Sequence, residues 1–156
     1  MQNIFHNTNN MNKYIVYTDG GSRSNPGPAA TGYVISDESG KLLKEYGEYI
    51  GIKTNNEAEY KAPIAGLKKL RSLIGKEKAK QAKVHIHSDS ELMVSQMNGK
   101  YKITNERIQP LFLELWNLKL DFKGVAFTSI PRERNREADA LVNEALDNQL
   151  KPQKLI

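Results

Sequence analysis

The sequence has no cysteine among its 156 residues. A disulfide framework and a thiolate metal site are therefore both excluded, and any bound metal must be held by oxygen or by the three histidines. With 18 acidic residues in the chain, oxygen is the richer source of ligands. Proline is scarce, at six, and 38% of the residues are hydrophobic, which points to one packed domain rather than disorder. No stretch is apolar enough to cross a bilayer, and the opening MQNIFHNTNNMNK lacks the positive start and apolar run of a secretory signal. These absences predict a cytoplasmic protein with no membrane partner. What is in excess is positive charge, +5 in all, which favours a polyanionic partner without identifying one.

Residues 1–12, rich in Asn and without period, read as a flexible leader, residues 13–149 as the domain, and 150–156 as a tail. Within the domain, KYIVYTD (13–19) has the β-branched and aromatic content of a strand and runs into GGSRSNPGP, a dense cluster of turn residues. ATGYVISD and KLLKEYGEYI, separated by ESG, predict a hairpin that completes an antiparallel meander. The period then changes. In TNNEAEYKAPIAGLKKLRSLI the apolar Tyr60, Ile64, Leu67, Leu70 and Ile74 mark one helical face, with Asn55 as the expected N-cap. Pro63 lies deep in this helix, and its missing N–H deprives the Glu59 carbonyl of a partner, which predicts a kink near Glu59.

After GKEKAKQAK, read as a turn, KVHIHS predicts a fourth strand and DSELMVSQMNG a short helix opened by Asp89 or Ser90 and closed at Gly99. NERIQPLFLELWNLKL places Ile108, Leu111, Phe112, Leu115 and Leu118 on one helical face, VAFTSIP is a fifth strand, and NREADALVNEAL closes the domain as a helix with Ala138, Leu141, Val142 and Ala145 inward. The order β-β-β-α-β-α-α-β-α implies an α/β fold with a five-stranded mixed sheet and helices on its faces.

Four acidic residues stand out by position. Asp19 ends the first strand and Asp89 follows the fourth, and in open sheets with crossover helices reactive groups gather beyond the carboxyl ends of strands. Glu59 and Asp139 flank the apolar stripes of their helices, from which a carboxylate reaches the sheet edge. Taken singly, each has an ordinary explanation as turn residue, cap or solvated helix position. Brought together, they would repel one another and raise each other's pKa values, a cost that divalent cations remove by binding between them. Such an oxygen set suits Mg²⁺, with Mn²⁺ as a substitute. Two ions roughly 3.5–4 Å apart clamp the attacking and leaving oxygens of a phosphoryl displacement.

YTDGGSRSNPGPAATGYVI, TNNEAEY, IHSDSELMV and READALV, in this order, resemble the four catalytic blocks of type 1 ribonuclease H, and the resemblance covers nearly all of residues 13–149. It implies the ribonuclease H-like fold and metal-dependent cleavage of the RNA strand of an RNA–DNA hybrid. The family's acidic quartet then falls on Asp19, Glu59, Asp89 and Asp139. Glu59 is preferred to Glu57 because the family leaves two residues between the paired asparagines and the metal-binding glutamate. By the same resemblance Asn55 and Asn56 would contact the hybrid, as would Gly20, Ser22 and Asn25 of the Gly-rich loop and Glu91 after the fourth strand, while Thr54 would hold a DNA phosphate.

Two departures from the family pattern narrow the subtype. The segment IPRERNREAD has no histidine where many bacterial members carry one, which leaves Arg132 or Arg134 to meet a phosphate, and an arginine stays protonated and cannot shuttle a proton. His6, His85 and His87 do not fill that gap and read as structural or exposed. The basic protrusion of some members is also missing, with Asn98, Lys100 and Lys102 offering a smaller phosphate grip. Both features resemble the archaeal and plant-like branch. No protein partner is implied, and a monomer is expected. The alternatives are a catalytically weak binding module on the same fold, a related nuclease acting on another nucleic acid, and a purely structural role.

Overall fold

The computed structural model describes residues 12–150. The leader, apart from Asn12, the tail beyond Leu150 and His6 lie outside the described residues. A single five-stranded sheet is formed by β1 (Lys13–Ser22), β2 (Gly27–Asp37), β3 (Leu42–Lys53), β4 (Lys83–Ser88) and β5 (Gly124–Ser129). Its order is β3-β2-β1-β4-β5, antiparallel between β1, β2 and β3 and parallel from β1 to β4 to β5. The expected mixed sheet is present, and β1 is its central strand.

The helices are α1 (Asn55–Ile74), α2 (Lys76–Ala79), α3 (Glu91–Met97), α4 (Gln109–Lys119) and α5 (Arg136–Leu150), with a 3₁₀ turn at Arg132–Arg134. α1 buries Ala58, Tyr60, Ala62, Ile64, Leu67 and Leu70 against one face of the sheet, where Val16, Ile35 and Ile86 complete the core. α5 packs on the other face over β1, β2 and β3, with Val142 and Leu146 against Ala30. Among the described residues, no helix is long and apolar enough to cross a membrane.

Several local expectations are corrected. β1 does not stop at Asp19 but continues through Gly20, Gly21 and Ser22, which pair with Thr31, Ala30 and Ala29 of β2, so the turn shrinks to Arg23–Pro26. Composition suggested a loop, but cross-strand pairing outweighs the weak strand preference of glycine. The N-cap of α1 is Thr54, not Asn55. Its hydroxyl accepts from the Glu57 amide while the Glu57 carboxylate accepts from the Thr54 amide, a reciprocal capping box. As expected, Pro63 lies inside the helix: α1 is continuous from Asn55 to Ile74, with buried residues on both flanks of the turn whose hydrogen bond is missing. The lysine-rich connection after α1 contains the single turn α2. Ser90, rather than Asp89, caps α3, its hydroxyl accepting from the Met93 amide.

Three strand glycines let helix backbone approach the sheet: Gly47, where a Cβ would lie 2.4 Å from the Leu141 carbonyl oxygen of α5, and, at the helix starts, Gly20 and Gly32. A Cβ on Gly20 would lie 2.1 Å from the Ala58 carbonyl oxygen and 2.6 Å from the Glu59 nitrogen. One on Gly32 would lie 2.6 Å from the Ala138 carbonyl oxygen. These are backbone atoms that cannot swing aside, so the first turns of α1 and α5 touch the strands only because both positions lack a side chain. Gly20→Ala is therefore expected to destabilise the protein by about 3 kcal/mol or more in urea unfolding. Gly21→Ala, whose new Cβ would meet nothing nearer than 3.7 Å, should stay within about 1 kcal/mol. Equal losses at the two positions would contradict this account of the packing.

Candidate active site

The parallel register of β1 and β4 pairs Thr18 with Ser88, so Asp19 and Asp89, each the next residue, emerge side by side at the carboxyl ends of adjacent strands. The close approach at Gly20 sets Glu59 beside them, and the approach at Gly32 brings Asp139, next to Ala138, from the opposite side. All four carboxylates line one open cleft of about 1020 Å³, together with Gly20, Gly21, Ser22, Asn55, Asn56, Ser90, Glu91, Arg132 and Asn143.

Asp19 is buried while the other three are partly exposed. Burial, the negative charges of Asp89 and Asp139, and hydrogen bonds shared with both push its carboxyl up from 3.8 to about 8. Near neutral pH, Asp19 therefore carries a proton unless a cation takes its place. Glu59 is also raised, by burial first and by Asp89, but two donors oppose the shift: Ser90 Oγ donates to its carboxylate at 2.6 Å and Asn55 Nδ2 at 3.0 Å. These bonds hold both oxygens of Glu59 in place. The cleft as a whole holds five acidic side chains, Asp19, Glu59, Asp89, Glu91 and Asp139, against two arginines, Arg23 and Arg132. Such a surface repels a phosphate backbone until cations bind.

The donor set fits a hard divalent cation, being all oxygen and anionic. Among the described residues, no group of three or more acidic or imidazole side chains is drawn together closely enough to hold a metal ion as it stands.

The remaining predicted residues divide. The side chain of Asn55 is occupied at both ends, its Oδ1 accepting from the Ser22 amide at 3.3 Å and its Nδ2 donating to Glu59. Asn56 stands on the cleft wall, as do Gly20, Ser22, Glu91 and Arg132. Ser22 Oγ is shut off from water and has no hydrogen-bond partner among the described residues. Thr54, Asn25 and Asn98 do not line the cleft: Thr54 caps α1, Asn25 Oδ1 accepts from the Asn55 amide at 3.0 Å, and Asn98 Nδ2 donates to the Phe127 carbonyl at 3.2 Å. Of the two arginines considered, Arg132 reaches the cleft and stands 3.9 Å from the Asp139 carboxylate, while Arg134 lies outside it.

Three roles toward the carboxylates were not anticipated from sequence. Ser90 both caps α3 and holds Glu59. Asn135, buried, donates from Nδ2 to the Thr18 carbonyl at 2.8 Å, and its own carbonyl accepts from the Asp139 amide. This ties the first turn of α5 to the strand residue before Asp19. Asn143 Nδ2 is 3.4 Å from the Asp139 carboxylate, a helical i,i+4 pair that the spacing alone would have revealed.

Comparison with known proteins places these features in context. A family model described as reverse transcriptase-like matches residues 17–145. A bifunctional protein of Mycobacterium tuberculosis is 38% identical over 136 residues, 86% of this chain and 36% of that protein. Ribonuclease HI of Halobacterium salinarum is 36% identical over 132 residues, 85% of this chain and 63% of the relative. The chain thus spans only part of the length of these relatives. A ribonuclease H1 isolated from compost superposes with a TM-score of 0.84 at 46% identity, over 90% of this chain and 100% of that one. The same enzyme in complex with an RNA/DNA hybrid gives 0.84 at 44% identity, over 88% and 99%.

The raised pKa of Asp19 has a consequence for stability. Between about pH 4 and 8 the native state holds a proton that the unfolded chain has released, so stability falls as pH rises through this window and levels off above it; below pH 4 both states are protonated and nothing is lost. In cation-free buffer, Asp19→Asn should match the parent near pH 4 and exceed it by on the order of a few kcal/mol at pH 8. Denaturant unfolding across that range is the measurement, and a difference that does not grow with pH would refute the assignment.

Proposed function

This chain belongs to the ribonuclease H family, type 1, and on that premise we propose that it is an endonuclease hydrolysing the RNA strand of RNA–DNA hybrids. The observation that carries the reading is the convergence of Asp19, Glu59, Asp89 and Asp139 on one cleft with Asp19 buried among the others. A buried carboxyl crowded by like charges is destabilising, and divalent cations are what make such a group useful. Two such ions, Mg²⁺ in preference to Mn²⁺, supply the positive charge that an in-line displacement needs at its attacking and leaving oxygens.

The chain's own residues do the rest. Asp19, Asp89 and Asp139 offer ligand oxygens from β1, β4 and α5, and Glu59 offers one from α1 in an orientation held by Asn55 and Ser90. With Asn55 so engaged, Asn56 is the amide that reads base edges in the wide minor groove. The backbone of Gly20 and Gly21 on the cleft wall is suited to a ribose 2′-hydroxyl, the group that distinguishes RNA from DNA, and the Ser22 hydroxyl, unpartnered but closed off in this structure, joins it only if its side chain rotates outward. Arg132, with its side chain 79% exposed and only a long ion pair to Asp139, is free to turn toward a phosphate. Being always protonated, it acts by charge and donates no proton to the leaving group. The enzyme works as a monomer in this reading, and its arginine-bearing segment aligns it with the archaeal and plant-like branch.

Labelled RNA–DNA hybrid should be cut in its RNA strand with Mg²⁺ and left intact with chelator, while RNA duplex and DNA duplex survive. Asp19→Asn and Asp89→Asn should each lose at least about a thousand-fold, some 4 kcal/mol of transition-state stabilisation. Cutting that ignores the hybrid, or full activity in Asp19→Asn, would overturn the proposal. Arg132→Ala should raise KM about tenfold with a smaller change in kcat if the arginine binds phosphate in ground and transition states alike. Steady-state kinetics separate the two parameters.

A further inference from the structure

Strand β4 reads KVHIHS, and its two-residue period sends Val84 and Ile86 into the core and His85 and His87 to the opposite face. α5 covers that face over β1, β2 and β3, and farther across it Ala126 and Thr128 of β5 are exposed. The sheet register sets His85 between Ile15 and Ala126, and His87 between Tyr17 and Thr128. The two imidazoles stand 4.5 Å apart between ring centroids, and Tyr17 stacks on His87 at 5.0 Å. The rings are thus ordered by their neighbours while still half exposed to solvent.

Neither ring has the carboxylate partner that usually explains a histidine held in a fold. Among the described residues, no carboxylate lies within ion-pair distance of His85 or His87. His85 Nε2 meets only the Thr128 hydroxyl, at 2.5 Å. His87 Nδ1 is closed off from water with no hydrogen-bond partner among the described residues. An unpaired nitrogen in such a place is unfavourable unless a ligand uses it.

We propose that His85 and His87 form a second metal site, a two-imidazole clasp for a divalent transition ion of the Ni²⁺, Cu²⁺ or Zn²⁺ class. Imidazole nitrogen prefers these borderline ions, whereas the carboxylate cleft prefers Mg²⁺ and Mn²⁺, so the two sites select different metals. Metal–nitrogen bonds of about 2.0–2.1 Å place two ligand nitrogens roughly 3 Å apart, and the proposal requires rings whose centroids stand 4.5 Å apart to turn their nitrogens to that separation. Binding turns the rings so that His85 Nε2 leaves the Thr128 hydroxyl and His87 Nδ1, closed off from water in this structure, comes to the surface; water then fills the other positions, with the freed hydroxyl at hand to hydrogen-bond it. An ion held there clips the face of β4, the strand that leads into Asp89, without entering the cleft.

The test uses the untagged full chain in excess Mg²⁺, which occupies the carboxylates, with Ni²⁺ added by calorimetric titration. One equivalent should bind, at least tenfold more weakly in His85→Asn and in His87→Asn, and unchanged in His6→Asn. Paramagnetic broadening in NMR spectra should centre on the imidazole resonances of His85 and His87. Cleavage of hybrid by His85→Asn in Mg²⁺ alone should equal that of the parent, so that lost Ni²⁺ binding is not read from a misfolded protein. Failure of the cleavage activity itself, in parent and variant together, would bear on the proposed function and not on this site. Undiminished Ni²⁺ binding in the double variant, broadening centred on His6 or the cleft, or no saturable binding to the parent would each overturn the proposal.

Discussion

The contact between the backbone of β1 at Gly20 and the first turn of α1 is the constraint on which the cleft depends. A Cβ at Gly20 would sit 2.1 Å from the Ala58 carbonyl oxygen, so strand and helix are as near as two backbones can come. Because Glu59 follows Ala58 in chain, this approach delivers its carboxylate to the end of the central strand. Gly32 does the same for Asp139 through the Ala138 carbonyl, 2.6 Å from its own would-be Cβ. The geometry of the cleft is thus set by packing of main chain on main chain, which is rigid, rather than by long side chains reaching inward. Thr54, Glu57 and Asn135 then fix the starts of the two helices.

That rigidity has an electrostatic side. Among the described residues, no cationic side chain forms an ion pair with Asp19, which faces Asp89 and Asp139 in a buried position. Two hydrogen bonds relieve Glu59, but Asp19 is left to protonate or to meet a cation. The fold therefore carries a locally unfavourable group whose free energy is recovered only on binding, as is common where function and stability compete. Net positive charge, the first feature of composition to suggest a polyanion, resides elsewhere: the cleft is acidic, so the formal +5 cannot by itself draw a phosphate into it. Cations reconcile the two.

Much of the architecture was legible in the chain because it is encoded by period and content. The five strands, the long helix after Thr54 and the closing helix follow from apolar spacing at 2 and at 3 or 4 residues, and the meander follows from short connections. What composition misread was local competition. Gly20 to Ser22 look like a loop but are held as strand by pairing with Ala29 to Thr31. Asn55 looks like a cap, but Thr54 with Glu57 three residues on makes the stronger box. In each case a contact distant in sequence, or a reciprocal pair of bonds, outweighed a single-residue preference.

The sequence alone singled out Asp19, Glu59, Asp89 and Asp139 as candidates, because residue type, strand-end position and resemblance to a family's motifs are all linear properties. It also supplied the paired asparagines, the absent loop histidine and the alternating histidines of β4. The tertiary structure alone decided what each does beside its neighbours. It occupied Asn55 with Ser22 and Glu59 while leaving Asn56 on the cleft wall, brought Arg132 to the cleft and left Arg134 outside, and recruited Ser90 and Asn135 as positioning residues. The physical reason is that hydrogen bonding, burial and charge repulsion depend on distance in space. Residues as far apart in the chain as Thr18 and Asn135 become partners only when the sheet and its two flanking helices have closed on one another.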